Sequence, residues 1–244
     1  MRKIKLTVSY DGTNYHGFQR QKSLITVQQV LEENLAGIFG DSVNITPSGR
    51  TDARVHALGQ VVSFATEGKI PADRIVPAAR AVLPPSVAVL EAQDMPQDFH
   101  ARYEAKAKQY IYKIKKSSLP DPFWTNYAWI MDNHLDIETM NKAACMITGE
   151  HDFSSFRASG STPTHPVREI YEAFWQREND IITFTIKGSG FLYHMVRNLV
   201  GSFIDVGTGK TSIEGFAGIL AAKDRTVAGK TAPPQGLYLD KVFY

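Results

Sequence analysis

The chain has 244 residues, 43% of them hydrophobic and 21% charged, with no low-complexity tract. That profile excludes a disordered chain and fits one large domain or two smaller packed halves. No run of about 18 apolar residues occurs, and Met1 to Thr7 alternates charged with apolar residues, so a cytoplasmic protein with no membrane partner is expected. The formal net charge of +2 is too small to announce nucleic acid by itself, although the basic residues cluster, with five Lys and no acid between Lys106 and Lys116.

Residues 3–10 alternate with period two before Asp11-Gly12, which predicts a strand ending in a turn. Thr26, with Gln29 in the capping-box position, starts an amphipathic helix in which Val27, Val30, Leu31, Leu35, Ile38 and Phe39 recur at helical spacing up to Gly40. Residues 43–47 and 58–65 read as strands on either side of the charged stretch S-G-R-T-D-A-R-V-H-A-L-G-Q, Ser48 to Gln60, which places its charges on a loop. A helix over 71–83, opened by Pro71, and a strand over 87–92 complete the first half.

Strand 107–116 opens the second half, and Asp136 caps a helix running to about Thr148. Strands over 168–176 and 181–187 flank the turn Glu178-Asn-Asp, helices over 191–205 and 212–222 follow, and a last strand covers 237–243. The single cysteine, Cys145, sits in the run K-A-A-C-M-I and reads as a buried small hydrophobe rather than a nucleophile. Both halves read strand, long loop, helix, strands, helix. The expected fold is therefore α+β, two similar halves (1–104 and 105–244) with mainly antiparallel sheets flanked by helices and a cleft between them.

Local motifs exclude several chemistries. Gly207-Thr-Gly-Lys-Thr211 ends like a phosphate-binding P-loop, but Ile204 stands where the first glycine belongs, and at Gly229-Lys-Thr231 the same place holds Asp224. Gly188-Ser-Gly190 lacks the third glycine of a dinucleotide fingerprint, Tyr193 standing there. What remains is a strand-to-helix turn or a helix N-terminus able to hold a phosphate. Seven His residues show no metal-ligand spacing, and one Cys cannot complete a zinc site, so no metal is expected.

Three residues stand out on physical grounds. Asp52 is the only acid of its loop, and the flanking Arg50 and Arg54 favour its ionised carboxylate, suited to nucleophilic or electrostatic work; a turn-capping Asp in a surface salt bridge fits the same local pattern. On strand 107–116 the even positions continue Lys106 as Lys108, Tyr110, Tyr112, Ile114 and Lys116, either a basic and aromatic face for RNA or an edge strand whose Lys deter aggregation. On helix 191–205 the apolar stripe Leu192, Met195, Val196, Leu199, Val200, Phe203 and Ile204 leaves Arg197 at its margin, stem packed and head in solvent.

Three distant segments together resemble one family, the TruA type of tRNA pseudouridine synthase. They are G-R-T-D-A-R-V-H-A from Gly49, F-H-A-R-Y-E-A from Phe99 leading to Gln109-Tyr-Ile-Tyr112, and G-F-L-Y-H-M-V-R-N-L-V-G from Gly190. The opening Y-D-G-T-N-Y-H-G-F-Q from Tyr10 also resembles the family's N-terminus. The resemblance implies a cofactor-free isomerisation of uridine to pseudouridine at positions 38, 39 and 40 of the tRNA anticodon arm, by a homodimer binding RNA in the cleft between halves.

By the same resemblance, Asp52 matches the catalytic aspartate, attacking C1′ of the ribose or removing the C2′ proton. Tyr110 matches the tyrosine that stacks on the uracil, and Arg197 the basic residue that pairs with the aspartate. Arg50, Arg54, His56, Lys108 and Tyr112 are expected to contact substrate. Arg54 departs from the family pattern, which has Gly there, and a Cβ at that position narrows the backbone conformations open to the loop. The competing classes are a non-catalytic RNA-binding or chaperone module, which has no use for a carboxylate among arginines, and a hydrolytic nucleosidase, which lacks a local partner for activating water.

Overall fold

The structure, a computed structural model, describes residues 1–158 and 165–244. They form two compact units, Met1–Lys106 together with Tyr238–Tyr244, and Ala107–Leu237. The last strand, from Tyr238 onward, belongs with the first unit.

In the first unit, β1 (Arg2–Tyr10) buries Ile4, Leu6, Val8 and Tyr10 at alternate positions, the period-two pattern turned into one core face. Helix α1 (Val27–Phe39) starts where Thr26 Oγ1 accepts from the Gln29 N–H and ends at Gly40, whose φ of 72° closes the last turn. β2 is only Thr46–Pro47. The strand expected over 43–47 is shorter because helix side chains take the backbone groups of Ile45: its N–H donates to Glu32 Oε1 at 3.0 Å and its carbonyl accepts from Gln28 Nε2 at 3.3 Å. β3 (His56–Thr66), α2 (Ala72–Val82) and β4 (Val87–Met95) follow. β1 lies between β3 and β4, antiparallel to both, and the chain's last strand runs parallel to β3, Tyr238 opposite His56 and Leu239 opposite Ala57.

In the second unit, β5 (Ala107–Lys116) pairs antiparallel with a later strand and parallel with the three-residue β6 (Trp129–Met131). Helix α3 (Ile137–Cys145) is capped by Asp136, which accepts from the Thr139 N–H. β7 (Gly149–Asp152), β8 (Val167–Glu178) and β9 (Ile181–Gly188) give the sheet order β5-β9-β8-β7, all antiparallel. Helices α4 (Met195–Gly207) and α5 (Ile213–Ala222) follow, and β10 (Leu237–Phe243) is the strand already placed beside β3. Within each unit the strands are thus mainly antiparallel with helices packed on them, the α+β class expected.

Three expectations change. Cys145 is exposed, not buried: the core stripe of α3 is Met140, Ala143, Ala144 and on to Ile147, and position 145 falls off it. Helix α4 begins four residues later than expected because His194 adopts φ 58°, a left-handed conformation that breaks the helical path. No helix N-terminus therefore follows directly on Gly188-Ser-Gly190. Gly207–Thr211 closes the C-terminal end of α4, with the Thr208, Gly209 and Thr211 N–H groups all bonded to helix carbonyls, a place of the wrong polarity for a phosphate. Among the described residues, no helix is long and apolar enough to cross a membrane.

Candidate active site

Asp52 lies on the loop between β2 and β3, and the path of this loop is pinned from below by buried polar groups. Ser48, wholly buried, donates from Oγ to Gln60 Oε1 at 2.6 Å, and Gln60 Nε2 donates to the Gly49 carbonyl at 2.8 Å. Gln60 Oε1 also accepts from the Val61 N–H at 3.1 Å. The Tyr10 hydroxyl and Thr51 Oγ1 share a hydrogen bond of 2.8 Å, and burial pushes the Tyr10 phenol well above its usual range, holding it neutral. The 10–19 segment grips the other side: the Phe18 N–H donates to the Thr51 carbonyl and the Arg54 N–H to the Tyr15 carbonyl.

Two glycines permit this closeness. A Cβ on Gly12 would stand 2.1 Å from the Val55 carbonyl oxygen, and one on Gly17, already at φ +93°, would stand 2.9 Å from that of Thr51. The result is a turn, Asp52-Ala53-Arg54-Val55, closed by the Val55 N–H donating to the Asp52 carbonyl at 3.2 Å. Val55 points into the core, Asp52 is half-buried, and Arg50 and Arg54 are exposed, so the three charged residues present together on a rigid backbone.

His56 does not join them. It is 2% exposed and its ring stacks on Tyr238 with centroids 4.7 Å apart, while Nδ1 accepts from the Gly12 N–H at 3.0 Å. Asp11 Oδ1 lies 3.2 Å from the same ring nitrogen. The ring thus packs beneath the loop that carries Asp52.

In the second unit, the even positions of β5 turn inward. Tyr110 is 8% exposed and edge-on to Phe191 at 5.0 Å; Tyr112 is fully buried, its hydroxyl donating to the Pro233 carbonyl at 2.8 Å. The expected basic and aromatic surface is thus a core face with half-buried Lys108 toward one end, because Tyr, alternating with Ile, packs where the sheet is covered. Burial raises the Tyr112 phenol above the usual range, the nearby positive charge of Arg197 opposing that rise only in part.

Arg197 is half-buried on α4, at the margin its periodicity indicates. Its head is not simply solvated: Nε donates to the Ala232 carbonyl at 2.7 Å and the Arg197 carbonyl accepts from the Ala232 N–H at 3.1 Å. The segment from Gly229 to Pro233 lies against α4 at Gly201, where a Cβ would meet the Lys230 carbonyl at 1.7 Å. Buried Asn198 secures the same segment, its Oδ1 accepting from Thr231 Oγ1 at 2.6 Å and from Arg225 at 3.1 Å. Among the described residues no group of three or more His, Cys, Asp or Glu is placed to hold a metal ion.

The family model described as tRNA pseudouridine synthase matches residues 6–104 and 143–244, spans that include the Asp52 loop and α4. The chain belongs to the tRNA pseudouridine synthase family. Proteins named tRNA pseudouridine synthase A are similar to it over full length: that of Thermoanaerobacter sp. (strain X514) is 47% identical over 100% of both chains, and that of Acetivibrio thermocellus 44% over 100% of both. That of Halalkalibacterium halodurans is 48% identical over 97% of this chain and 90% of its own. Among solved structures, a Cbf5-Nop10-Gar1 complex aligns over 82% of this chain and 54% of that chain, at 12% identity and a TM-score of 0.36, below the level at which a shared fold can be read.

Sequence reasoning missed the parts that hold these residues in place. Ser48, Thr51 and Gln60 looked like ordinary loop and strand polar residues, and nothing in their spacing announces a shared network. A signal was available for Gly12, Gly17 and Gly201, each lying inside a segment that carries the family resemblance.

Proposed function

We propose that this chain isomerises uridine to pseudouridine at positions 38–40 of the tRNA anticodon arm, without cofactor, as a cytoplasmic homodimer. The supporting observation is the full-length similarity, at 47% identity, to a protein named tRNA pseudouridine synthase A. Asp52 opens the bond between C1′ and N1; the uracil turns and rejoins the ribose through C5. The C5 hydrogen leaves as a proton and N1 takes one up, so the reaction balances with no redox partner. Tyr110 stacks on the uracil, Arg197 supplies positive charge to the reacting centre, and Arg50 and Lys108 contact the RNA. A rigid turn suits this work, since the carboxylate must meet a nucleotide extruded from the stem-loop at a set distance.

The test is release of tritium from tRNA labelled at uridine C5. The wild-type protein is expected to release label from the anticodon arm, and Asp52→Asn to lose at least ~10²-fold in rate while still binding tRNA. Binding without release by the wild type identifies an RNA-binding module instead, and full activity of Asp52→Asn removes Asp52 from the catalytic role.

A further inference from the structure

Arg54 adopts φ +65°, in the left-handed region that favours glycine. It occupies the third position of the turn Asp52-Ala53-Arg54-Val55, and a positive φ there after a negative one at Ala53 is the sign pattern of a type II turn, which selects Gly at that place. The conformation is over-determined on both sides. The Arg54 N–H is held by Tyr15, the next N–H by Asp52, and Val55, 2% exposed, is anchored in the core. A left-handed residue with a Cβ is strained relative to glycine, so Arg54 makes the fold less stable than the smallest residue would. Its side chain is exposed, two residues from the half-buried carboxylate of Asp52 and on the same turn.

We propose that Arg54 is a substrate-binding residue that grips a phosphate of the RNA backbone next to the reacting nucleotide, and that the strained turn is retained for this contact. A guanidinium suits a phosphate because it offers forked donors and is always charged. Mounted on a pinned turn, it loses little freedom on binding, and it sets the register of the strand relative to Asp52 without reading a base. This rests on the tRNA-modifying function proposed above.

Three variants test it: Arg54→Gly, Arg54→Ala and Arg54→Lys, each measured for melting temperature and for tRNA affinity across a salt series. Arg54→Gly is expected to melt roughly 2 °C higher, as strain is relieved, and to bind tRNA about tenfold more weakly at low salt, its log–log salt slope shallower by about 0.7 to 1. Arg54→Ala loses the same slope without the gain in melting temperature, because it keeps the Cβ. Arg54→Lys keeps the slope. Wild-type affinity and slope in Arg54→Gly overturn the contact, and a melting temperature equal to that of Arg54→Ala overturns the strain. Tritium release separates the two claims: a wild-type protein that binds tRNA with the Arg54-dependent slope but releases no label defeats the isomerase reading alone. Label release with an Arg54-independent slope defeats this inference alone.

Discussion

The two units hold their candidate residues by different means. In the first, Asp52 sits on irregular backbone whose path is set by discrete polar bonds, through Ser48, Gln60, Thr51 and Tyr10, and by glycines that let segments touch. In the second, Tyr110 and Arg197 sit on a strand and a helix, positioned by packing of regular elements, with the 229–233 segment as an added brace. A turn has no ladder to define it, so every group in it needs its own partner. A strand or helix position inherits its geometry from its neighbours.

The largest effect that distinguishes these designs comes from filling the close approaches. Gly201→Ala and Gly12→Ala each place a Cβ within 2.1 Å of a backbone carbonyl oxygen, at Lys230 and Val55 respectively, and each is expected to destabilise by about 3 kcal/mol in urea unfolding. Activity separates them. Gly12→Ala displaces the turn bearing Asp52 and lowers tritium release at temperatures where the protein remains folded. Gly201→Ala displaces the 229–233 segment that bonds Arg197 but leaves Arg197 on its helix, so its loss of tritium release at equal folded fraction is expected to be the smaller of the two. Equal activity losses at equal folded fraction break the comparison.

A smaller contrast lies in single polar groups. Gln60→Leu removes the amide that bonds buried Ser48 Oγ and the Gly49 carbonyl and is expected to destabilise by ~1–3 kcal/mol, with a matching fall in activity. Tyr112→Phe removes one hydroxyl from the Pro233 carbonyl but keeps the packing of the ring, so ~1 kcal/mol is expected, read by the same unfolding. A larger loss for Tyr112→Phe than for Gln60→Leu contradicts the division between bonded loop and packed elements.

The smallest effect appears only in alkali. Burial raises the phenols of Tyr10 in the first unit and Tyr112 in the second, so the folded state keeps protons that the unfolded chain gives up near pH 10. Their contribution is fully present below that pH and is lost as pH rises through the folded-state values. Stability is expected to be flat with respect to these groups near neutrality and to fall above about pH 10, less steeply in Tyr10→Phe and in Tyr112→Phe. An unchanged alkaline slope in either variant shows that its phenol ionises freely in the fold.

Much of the fold was legible because it follows from periodicity. Ile4, Leu6, Val8 and Tyr10 alternate and form a strand; Thr26 and Gly40 bracket a helix; Arg197 lies at the margin of its helix, as 100° per residue requires. The Asp52 loop was also legible as a place, charged residues between two strands, and the departure at Arg54 was visible as a Cβ where glycine is usual.

What only the tertiary structure decided is which side of each candidate faces the core and what fixes it there. Strand parity grouped Tyr110 and Tyr112 with lysines but carries no sign for inside or outside, and coverage of the sheet buried both rings. Nothing local to His56 announces that its ring stacks on Tyr238, 182 positions along the chain and on the strand parallel to β3. Local sequence determines backbone tendency and the face that must be apolar. The bonds of this irregular turn join residues remote in the chain, and only the folded packing brings donors and acceptors such as the Arg54 N–H and the Tyr15 carbonyl to 3.2 Å.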